Sequence, residues 1–427
     1  MIVQELVALW RNQHKSPEEL RQLQWWSLQS SISHAFASVP FYQSGLQGKK
    51  SEGLTVDTLA DLQHIPVTKK SDVQKAGDAM VARPFVKEQL KMSTSSGSTG
   101  QPVSTYFNTS DWLLLKYAAK IRSKLWCGMR FGDVVVTVDD RPTEEVREKN
   151  SWLARNVIRR HMLSIDQPLS EHLDFYRRVK PDVLYGSPSY MYELAAHVKE
   201  HGVDWFRPRL IFTSSELIQP RRQEELERTF GCRAYDVYGS TEFKEIAVQC
   251  PCKNGYHINS DLFYVEMLNN GKPVAPGEEG DIIVTSLKNR AMPLIRYDIG
   301  DRGVLRADEC GCGNPFPLMD VVLGRCVDYV KAGDRHIAPY TLTNVLQDCC
   351  FEHIAQYQVV QDDADHITVF IEPNTSYAPV VKSTIREELQ KVLGTGMAIS
   401  VQEVDSIPRE ASGKYCVVKS SIHKDHV

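Results

Sequence analysis

The stretch Ala234-Tyr235-Asp236-Val237-Tyr238-Gly239-Ser240-Thr241-Glu242 decides the fold. Ala234–Val237 is a short, largely apolar run of the kind a sheet interior holds. Directly after it come an aromatic, a glycine, two hydroxyls and a carboxylate. At a strand end these suit a ring stack, a phosphate hydrogen bond and a metal ligand, and open α/β sheets bind ligands at such ends. Standing alone, the same residues are equally an ordinary turn.

Working outward, Val134–Val138, Val183–Tyr185 and Leu210–Thr213 are similar short apolar runs with helix-like segments between several of them. That alternation predicts α/β layers with a largely parallel sheet. Asp281–Thr285 follows the turn cluster PVAPGEEG and predicts a strand in an antiparallel or barrel-like subdomain. Residues 1–90 read as mostly helical, punctuated by Pro40, Pro66 and Pro84, with an amphipathic N-terminal helix and Trp25 and Trp26 in a helix core. Leu62–Lys70 reads as a turn, because Pro66 lacks an amide proton and restrains the residues before it. The last hundred residues look separate. Gln356–Gln361, His366–Ile371 and Ile399–Val404 alternate as strands and Val380–Leu393 is an amphipathic helix, so a small α+β domain is expected from 324 to 427, after an N-terminal domain over 1–323.

The 427 residues include 50 basic and 54 acidic side chains, a formal net charge of −4, and 42% hydrophobic residues. This balance excludes a basic nucleic-acid binder and a disordered polymer. No run of about 18 apolar residues is present, so no membrane-spanning helix is expected. The N-terminus lacks the features of a secretory signal, which makes the cytoplasm the expected compartment. Ten cysteines there suggest metal binding or chemistry before disulfides.

Four further motifs carry chemistry. Ser93–Gly100 (STSSGSTG) concentrates hydroxyls and backbone amides on a glycine-flexed loop that can wrap phosphate oxygens, although a flexible surface loop has the same composition. Arg296-Tyr297-Asp298-Ile299-Gly300-Asp301 places paired acids about a glycine, able to accept from a ribose diol or to cap a turn. Gly324-Arg325-Cys326-Val327-Asp328 sits at the expected boundary, and Arg409–Lys414 puts a lysine on a glycine-flexed loop.

In this order the motifs resemble the AMP-forming acyl-adenylating ligase superfamily, and within it the phenylacetate–coenzyme A ligase family and its capsule-cluster relatives. The resemblance covers nearly the whole chain, including His34-Ala35, Val39-Pro40-Phe41-Tyr42 and Pro66-Val67-Thr68-Lys69. It implies that Ser95, Ser96, Gly97, Ser98, Thr99 and Gly100 hold the β,γ-phosphates of ATP. It likewise implies that Tyr238, with Gly239 and Ser240, stacks on adenine, Thr241 contacts the α-phosphate, Glu242 holds Mg²⁺, Asp301 binds the ribose and Arg325 assists. Lys414 would bridge the carboxylate and α-phosphate, lowering the cost of bringing two anions together. The C-terminal domain of this family is a mobile lid, with Val327 and Asp328 at the hinge. Val327 stands where the family usually has an acid, with Asp328 one residue later.

The acyl pocket is expected after two strands, at Tyr185, Gly186, Ser187 and Tyr190 and at Ser214 and Glu216, with Phe131 as a further aromatic. Each of these aromatics is equally a core residue. The expected reaction joins a carboxylic acid, aryl or similar, to coenzyme A through an acyl-adenylate. Transfer to a carrier-protein thiol or an amine is the second reading, and a non-catalytic binding protein of the same fold the third. Monomer and homodimer both stay open.

Cys250-Pro251-Cys252, Gly255-Tyr256-His257 and Cys310-Gly311-Cys312 offer ligands of a structural zinc type, while their irregular spacing also fits reduced, buried thiols. The resemblance selects Cys250, His257, Cys310 and Cys312 for a structural Zn²⁺, with Cys252 as a spare or substitute. The remaining cysteines (127, 232, 326, 349, 350 and 416) read as small core residues.

Overall fold

The computed structural model describes residues 2–44, 56–94, 103–139, 159–165, 167–216, 218–323, 330–333, 335–337, 339–350, 352–408 and 417–422. The chain divides into two compact units, Met1–Val321 and Val322–Val427. Among the described residues, no helix is long and apolar enough to cross a membrane.

A hairpin of β1 (Lys91–Thr94) and β2 (Ser104–Phe107) precedes the main sheet of the first unit. Among the described residues, the main sheet has twelve strands. At one end β3 (Val134–Asp139), β4 (Arg159–Ser164), β5 (Val183–Gly186), β6 (Leu210–Ser214) and β7 (Arg233–Ser240) are parallel, in the order β4-β3-β5-β6-β7. These strands read as unbroken apolar runs because both faces are covered. Val136, Leu184, Ile211 and Ala234 pack under the helices Leu169–Val179, Pro188–Glu200 and Pro220–Phe230. Val135, Val183, Phe212 and Tyr235 pack on the other face with Ile121 and Leu125 of the helix Ala119–Trp126. The chain runs from β3 outward to β4 and then returns to the far side of β3 as β5, which puts the topological switch point between β3 and β5.

After β7 the same sheet continues antiparallel. It adds β8 (Lys244–Gln249), β9 (Tyr256–Ile258), β10 (Phe263–Asn269), β11 (Lys272–Pro273), β12 (Glu279–Ser286), β13 (Tyr297–Leu305) and β14 (Leu318–Leu323). The Asp281–Thr285 run lies in β12, antiparallel to β10 and β13. The two halves of the body are therefore one continuous sheet, parallel over five of its twelve strands. Arg122 anchors the helix Ala119–Trp126 to the antiparallel half through a buried bidentate pair with Asp261, at 2.6 and 3.0 Å.

The N-terminal stretch forms two helices, Ile2–Asn12 and Pro17–Ser38, and not one. Ser16 and Glu19 cap each other reciprocally and Pro17 opens the second helix, which fixes the break. Trp25 packs against the core, whereas Trp26 is 59% exposed, contrary to its sequence reading. The Pro66 turn is tied down from a distance. Arg296 Nη1 donates to the carbonyls of Leu62 and Ile65, at 2.7 and 2.5 Å, and its guanidinium pairs with buried Glu266 at 3.0 Å. These bonds hold Arg296 at φ +46°, a left-handed conformation that non-glycine residues seldom adopt.

The second unit is a small α+β body. In its sheet β17 (Ile354–Asp363) is antiparallel to β18 (His366–Pro373), while β19 (Ala398–Glu403) is parallel to β18 and β20 (Val418–Ser420) parallel to β17, giving the order β19-β18-β17-β20. A two-stranded hairpin of β15 (Val330–Ala332) and β16 (Arg335–Ile337) and the helix Pro339–Cys350 precede it. Val381, Ile385, Leu389 and Leu393 recur every four residues along the helix Val380–Leu393 and close a core of its own with Val359, Ile367, Val369 and Ile371.

Candidate functional site

The Tyr238–Glu242 segment ends β7 and turns directly into β8. The register slips by a bulge between Tyr238 and Gly239, and Gly239 meets the returning strand closely. A Cβ at Gly239 would lie 2.0 Å from the Lys244 carbonyl oxygen, so the turn requires glycine there. Ser240 Oγ accepts from the Phe243 amide at 3.3 Å, a local cap. Glu242 is buried, with the Tyr297 hydroxyl 3.4 Å from Oε1. The Tyr238 hydroxyl donates to Asp301 Oδ2 at 2.7 Å, joining motifs 63 residues apart. The two acids about Gly300 thus separate. Asp298 Oδ1 accepts from the Gly300 amide at 2.8 Å and caps the turn, while Asp301 is buried and faces Tyr238.

Lys244 is a candidate site residue that sequence reasoning missed. Its Nζ donates to Ser93 Oγ at 2.5 Å and to the Thr241 carbonyl at 2.7 Å, and it lies 5.1 Å from the ring centres of Phe107 and Trp112. Burial pushes its pKa down to about 7, with the nearby ammonium groups of Lys120 and Lys116 adding to the shift. Ser93 is in β1, at the mouth of the Ser/Gly loop, so Lys244 bridges two of the motifs read from sequence. Ser95, Ser96, Gly97, Ser98, Thr99 and Gly100 lie outside the described residues, as do Arg325, Val327, Asp328 and Lys414.

At the ends of β5 and β6 the Tyr185 hydroxyl and Ser214 Oγ share a 2.7 Å hydrogen bond. Ser187 caps the helix Pro188–Glu200, accepting from the Tyr190 amide at 3.3 Å. Glu216 accepts from the Ser189 amide and hydroxyl, at 3.0 and 2.9 Å, which holds it at that helix start. Gly186 sits tightly, since a Cβ there would be 3.2 Å from Met191 Cε. Tyr190 is core. Its hydroxyl meets His172 Nδ1 at 2.8 Å and the Tyr176 hydroxyl at 2.7 Å. Phe131 is 62% exposed and precedes β3, so it sits at the opposite end of the parallel strands from Tyr185, Ser214 and Tyr238.

A second constellation lies in the antiparallel half, on the β8–β9 turn, on β9 itself and on the loop between β13 and β14. The ligand atoms of Cys250, His257, Cys310 and Cys312 all fall within 4.8 Å of one another. Cys250 Sγ is 3.4 Å from Cys310 Sγ, and Cys312 Sγ is 3.3 Å from His257 Nε2. A tetrahedral sphere with bonds of about 2.0–2.3 Å spaces its ligands about 3.3–3.8 Å apart. His257 Nδ1 bonds the Phe316 carbonyl at 2.8 Å, an outer contact that turns Nε2 toward the sulfurs. Cys252 is exposed and outside this group. Cys127 and Cys350 are buried and Cys232 and Cys349 partly so, while Cys326 and Cys416 lie outside the described residues.

This architecture is the acyl-CoA ligase fold. It superposes on the crystal structure of 2-hydroxyisobutyryl-CoA ligase in the postadenylation state with a TM-score of 0.80 and 21% identity, covering 96% of this chain and 91% of that one. Residues 331–421 match the CapK C-terminal domain family. The sequence is 27% identical over 430 residues to a phenylacetate-coenzyme A ligase of Aromatoleum evansii, covering 93% of this chain and 94% of the relative. It is 24% identical to Protein CapK of Staphylococcus aureus, over 89% and 83% of the two chains. The chain is thus similar over most of its length to phenylacetate–coenzyme A ligases and to CapK.

Proposed function

We propose that this protein activates a small carboxylic acid with ATP and transfers the acyl group to coenzyme A. The observation that carries this reading is the Tyr238–Asp301 hydrogen bond, which joins the residue assigned to the base to the residue assigned to the ribose. Similarity to phenylacetate–coenzyme A ligases over nearly the full length supports it.

In the first half-reaction a carboxylate oxygen attacks the α-phosphorus of ATP, and the bond to pyrophosphate breaks. In the second, a thiolate sulfur attacks the acyl carbon, and AMP leaves with the bonding electrons. A carboxylate is a poor electrophile, and AMP supplies the leaving group it lacks. The chain mainly positions anions and offsets their charge. Tyr238 would stack on adenine, Asp301 would accept from the ribose hydroxyls with help from Arg325, and Thr241 would hold the α-phosphate. The Ser95–Gly100 loop would wrap the β,γ-phosphates, next to Lys244. Lys414 would lie between the reacting anions, and a hinge at Val327–Asp328 would let it leave before thiol transfer.

Buried Glu242 fits a magnesium ligand, and Mg²⁺ bound there would neutralise phosphate charge. Cys250, His257, Cys310 and Cys312 would hold a Zn²⁺ with no open position, tying the β8–β9 turn to the loop before β14. Such a site would be structural.

Pyrophosphate release with a panel of acids, with and without coenzyme A, tests the reading. Acid-dependent release that ends in a CoA thioester is expected. Release without any thioester would move the acceptor to a carrier thiol or an amine. No release from folded protein would leave a non-catalytic binding protein. Lys414→Ala should nearly abolish release while leaving thermal stability unchanged.

A further inference from the structure

One helical segment carries lysines on a face that a solvated stripe does not explain. Lys116 sits in a π-turn, Leu114–Ala118, and Lys120 and Lys124 follow at four-residue spacing in the helix Ala119–Trp126. Like charges at that spacing repel, and here they are not dispersed in water. Lys124 is buried, 4.7 Å from the Tyr185 ring centre and 5.6 Å from that of Phe212. Lys120 lies 5.6 Å from the same Tyr185 ring.

Sheet register adds a further cation. Arg160 of β4 pairs with Val135, and Val135 pairs with Val183, two residues before Tyr185, so Arg160 and Tyr185 share one face of the sheet. Arg160 is close enough to press electrostatically on both Lys120 and Tyr185.

The acids nearby do not balance this set. Glu245 pairs with Lys124 at 3.1 Å, and Glu242 is assigned to the phosphate end. Lys120 makes no hydrogen bond or ion pair with any described residue, and burial holds its pKa down at about 8. Glu245 also acts on Lys120 electrostatically, but it is one carboxylate shared with Lys124 and its ion pair is made there. A half-buried ammonium beside two other cations is therefore costly unless a ligand supplies a further anion.

Tyr185 and Ser214 mark the acyl end of the site, at the switch-point end of the parallel strands. We propose that the acid bound there carries a second anionic group, remote from the reacting carboxylate, that Lys120 receives with support from Lys124 and Arg160. This rests on the adenylation reading above and narrows it to dianionic acids, whether dicarboxylates or phosphate-bearing acids. Tyr185, between the lysines and Ser214, would sit against the carbon skeleton joining the two charges.

The test uses full-length protein and acid pairs that share a skeleton: adipate with hexanoate, 4-carboxyphenylacetate with phenylacetate, and a phosphate-bearing acid with its hydroxy acid. Pyrophosphate release should give a kcat/KM at least about tenfold higher for the dianion in one or more pairs, the scale of one charge-assisted hydrogen bond. Lys120→Met should lower that ratio by about tenfold or more, mostly through KM for the acid, and Lys120→Arg should restore much of it. Circular dichroism checks that both variants fold. A wild-type preference for every monoacid would overturn the proposal and leave adenylation intact. So would a Lys120→Met defect equal for both members of a pair, or one in KM for ATP, since either would place Lys120 on the phosphates. If no acid releases pyrophosphate, calorimetric titration with adipate and 4-carboxyphenylacetate separates the two ideas. Binding that Lys120→Met abolishes would keep the anion site while adenylation falls, and absence of binding would remove both.

Discussion

The Tyr238 hydroxyl lies 2.7 Å from Asp301 Oδ2, so the phenol that ends β7 and the acid in β13 form one hydrogen-bonded unit. Asp301 is buried, and a carboxylate there is well placed to accept from a diol. Asp301→Ala should weaken ATP binding by about 10- to 100-fold, the scale of one or two charge-assisted hydrogen bonds. Tyr238→Phe keeps the ring and loses only the hydroxyl, so its cost should be several-fold smaller. Calorimetric titration with ATP compares the two. Equal losses from both would mean that the hydroxyl, and not the stack, is what Tyr238 contributes.

The turn between β7 and β8 should be intolerant of a single methyl group. Gly239→Ala puts a Cβ 2.0 Å from the Lys244 carbonyl oxygen, a backbone atom that cannot swing aside. The expected destabilisation is about 1–3 kcal/mol in urea unfolding, as for other overpacked sites. Nucleotide affinity should fall as well, because Thr241, Glu242 and Lys244 all hang on this turn. An alanine variant of unchanged stability and affinity would show that the hairpin relaxes freely.

Much of this site was legible because its signals are local. Strands β5, β6 and β7 announced themselves as apolar runs since helices cover both faces, and the residues after them had nowhere to go but the ligand end. The Cys250–Cys312 set was likewise visible as residue types close to turns, although the sequence left open whether Cys252 belonged. What stayed hidden depends on partners far along the chain. Lys244 looks like any solvated lysine until Phe107, Trp112 and Ser93 close over it. Arg296 gives no sign that it will reach the carbonyls of Leu62 and Ile65. Phe131 was misplaced for a different reason: its aromatic character suggested a pocket, although its position before the Val134–Val138 run already put it at the start of that strand, away from the ligand end.

Lys244 predicts a pH dependence of nucleotide binding. Its pKa in the folded protein is about 7, so above that pH the free site loses the proton. Phosphate oxygens favour the ammonium and raise that value on binding. Affinity for ATP should therefore be greatest at or below pH 7. It should weaken by up to about tenfold per unit above it, until the pKa of the bound state is reached. Calorimetry at pH 8 in two buffers of different ionisation heat should register net proton uptake. Lys244→Met should remove the uptake and flatten the profile. For stability the sign is opposite in pH. The depressed value penalises the folded state below pH 7, and that penalty is relieved as pH rises toward the ordinary lysine range.

The Cys/His cluster predicts one zinc per chain in protein purified without chelator. Four thiol and imidazole atoms within 4.8 Å would be a poor bargain as bare neighbours, because the sulfurs crowd one another and gain little in return. A bound Zn²⁺ converts the same contacts into four metal bonds and cross-links the β8–β9 turn to the loop before β14. Cys310→Ser and His257→Ala should lose the metal. Cys252→Ser should keep it, since Cys252 is exposed and lies outside the four. Chelation should lower Tm by about 5 °C or more, with recovery on adding zinc back. Mass spectrometry of the native protein and a thermal melt read both effects. Zinc-free protein that melts at the same temperature with and without added Zn²⁺ would reduce the cluster to four packed, reduced side chains.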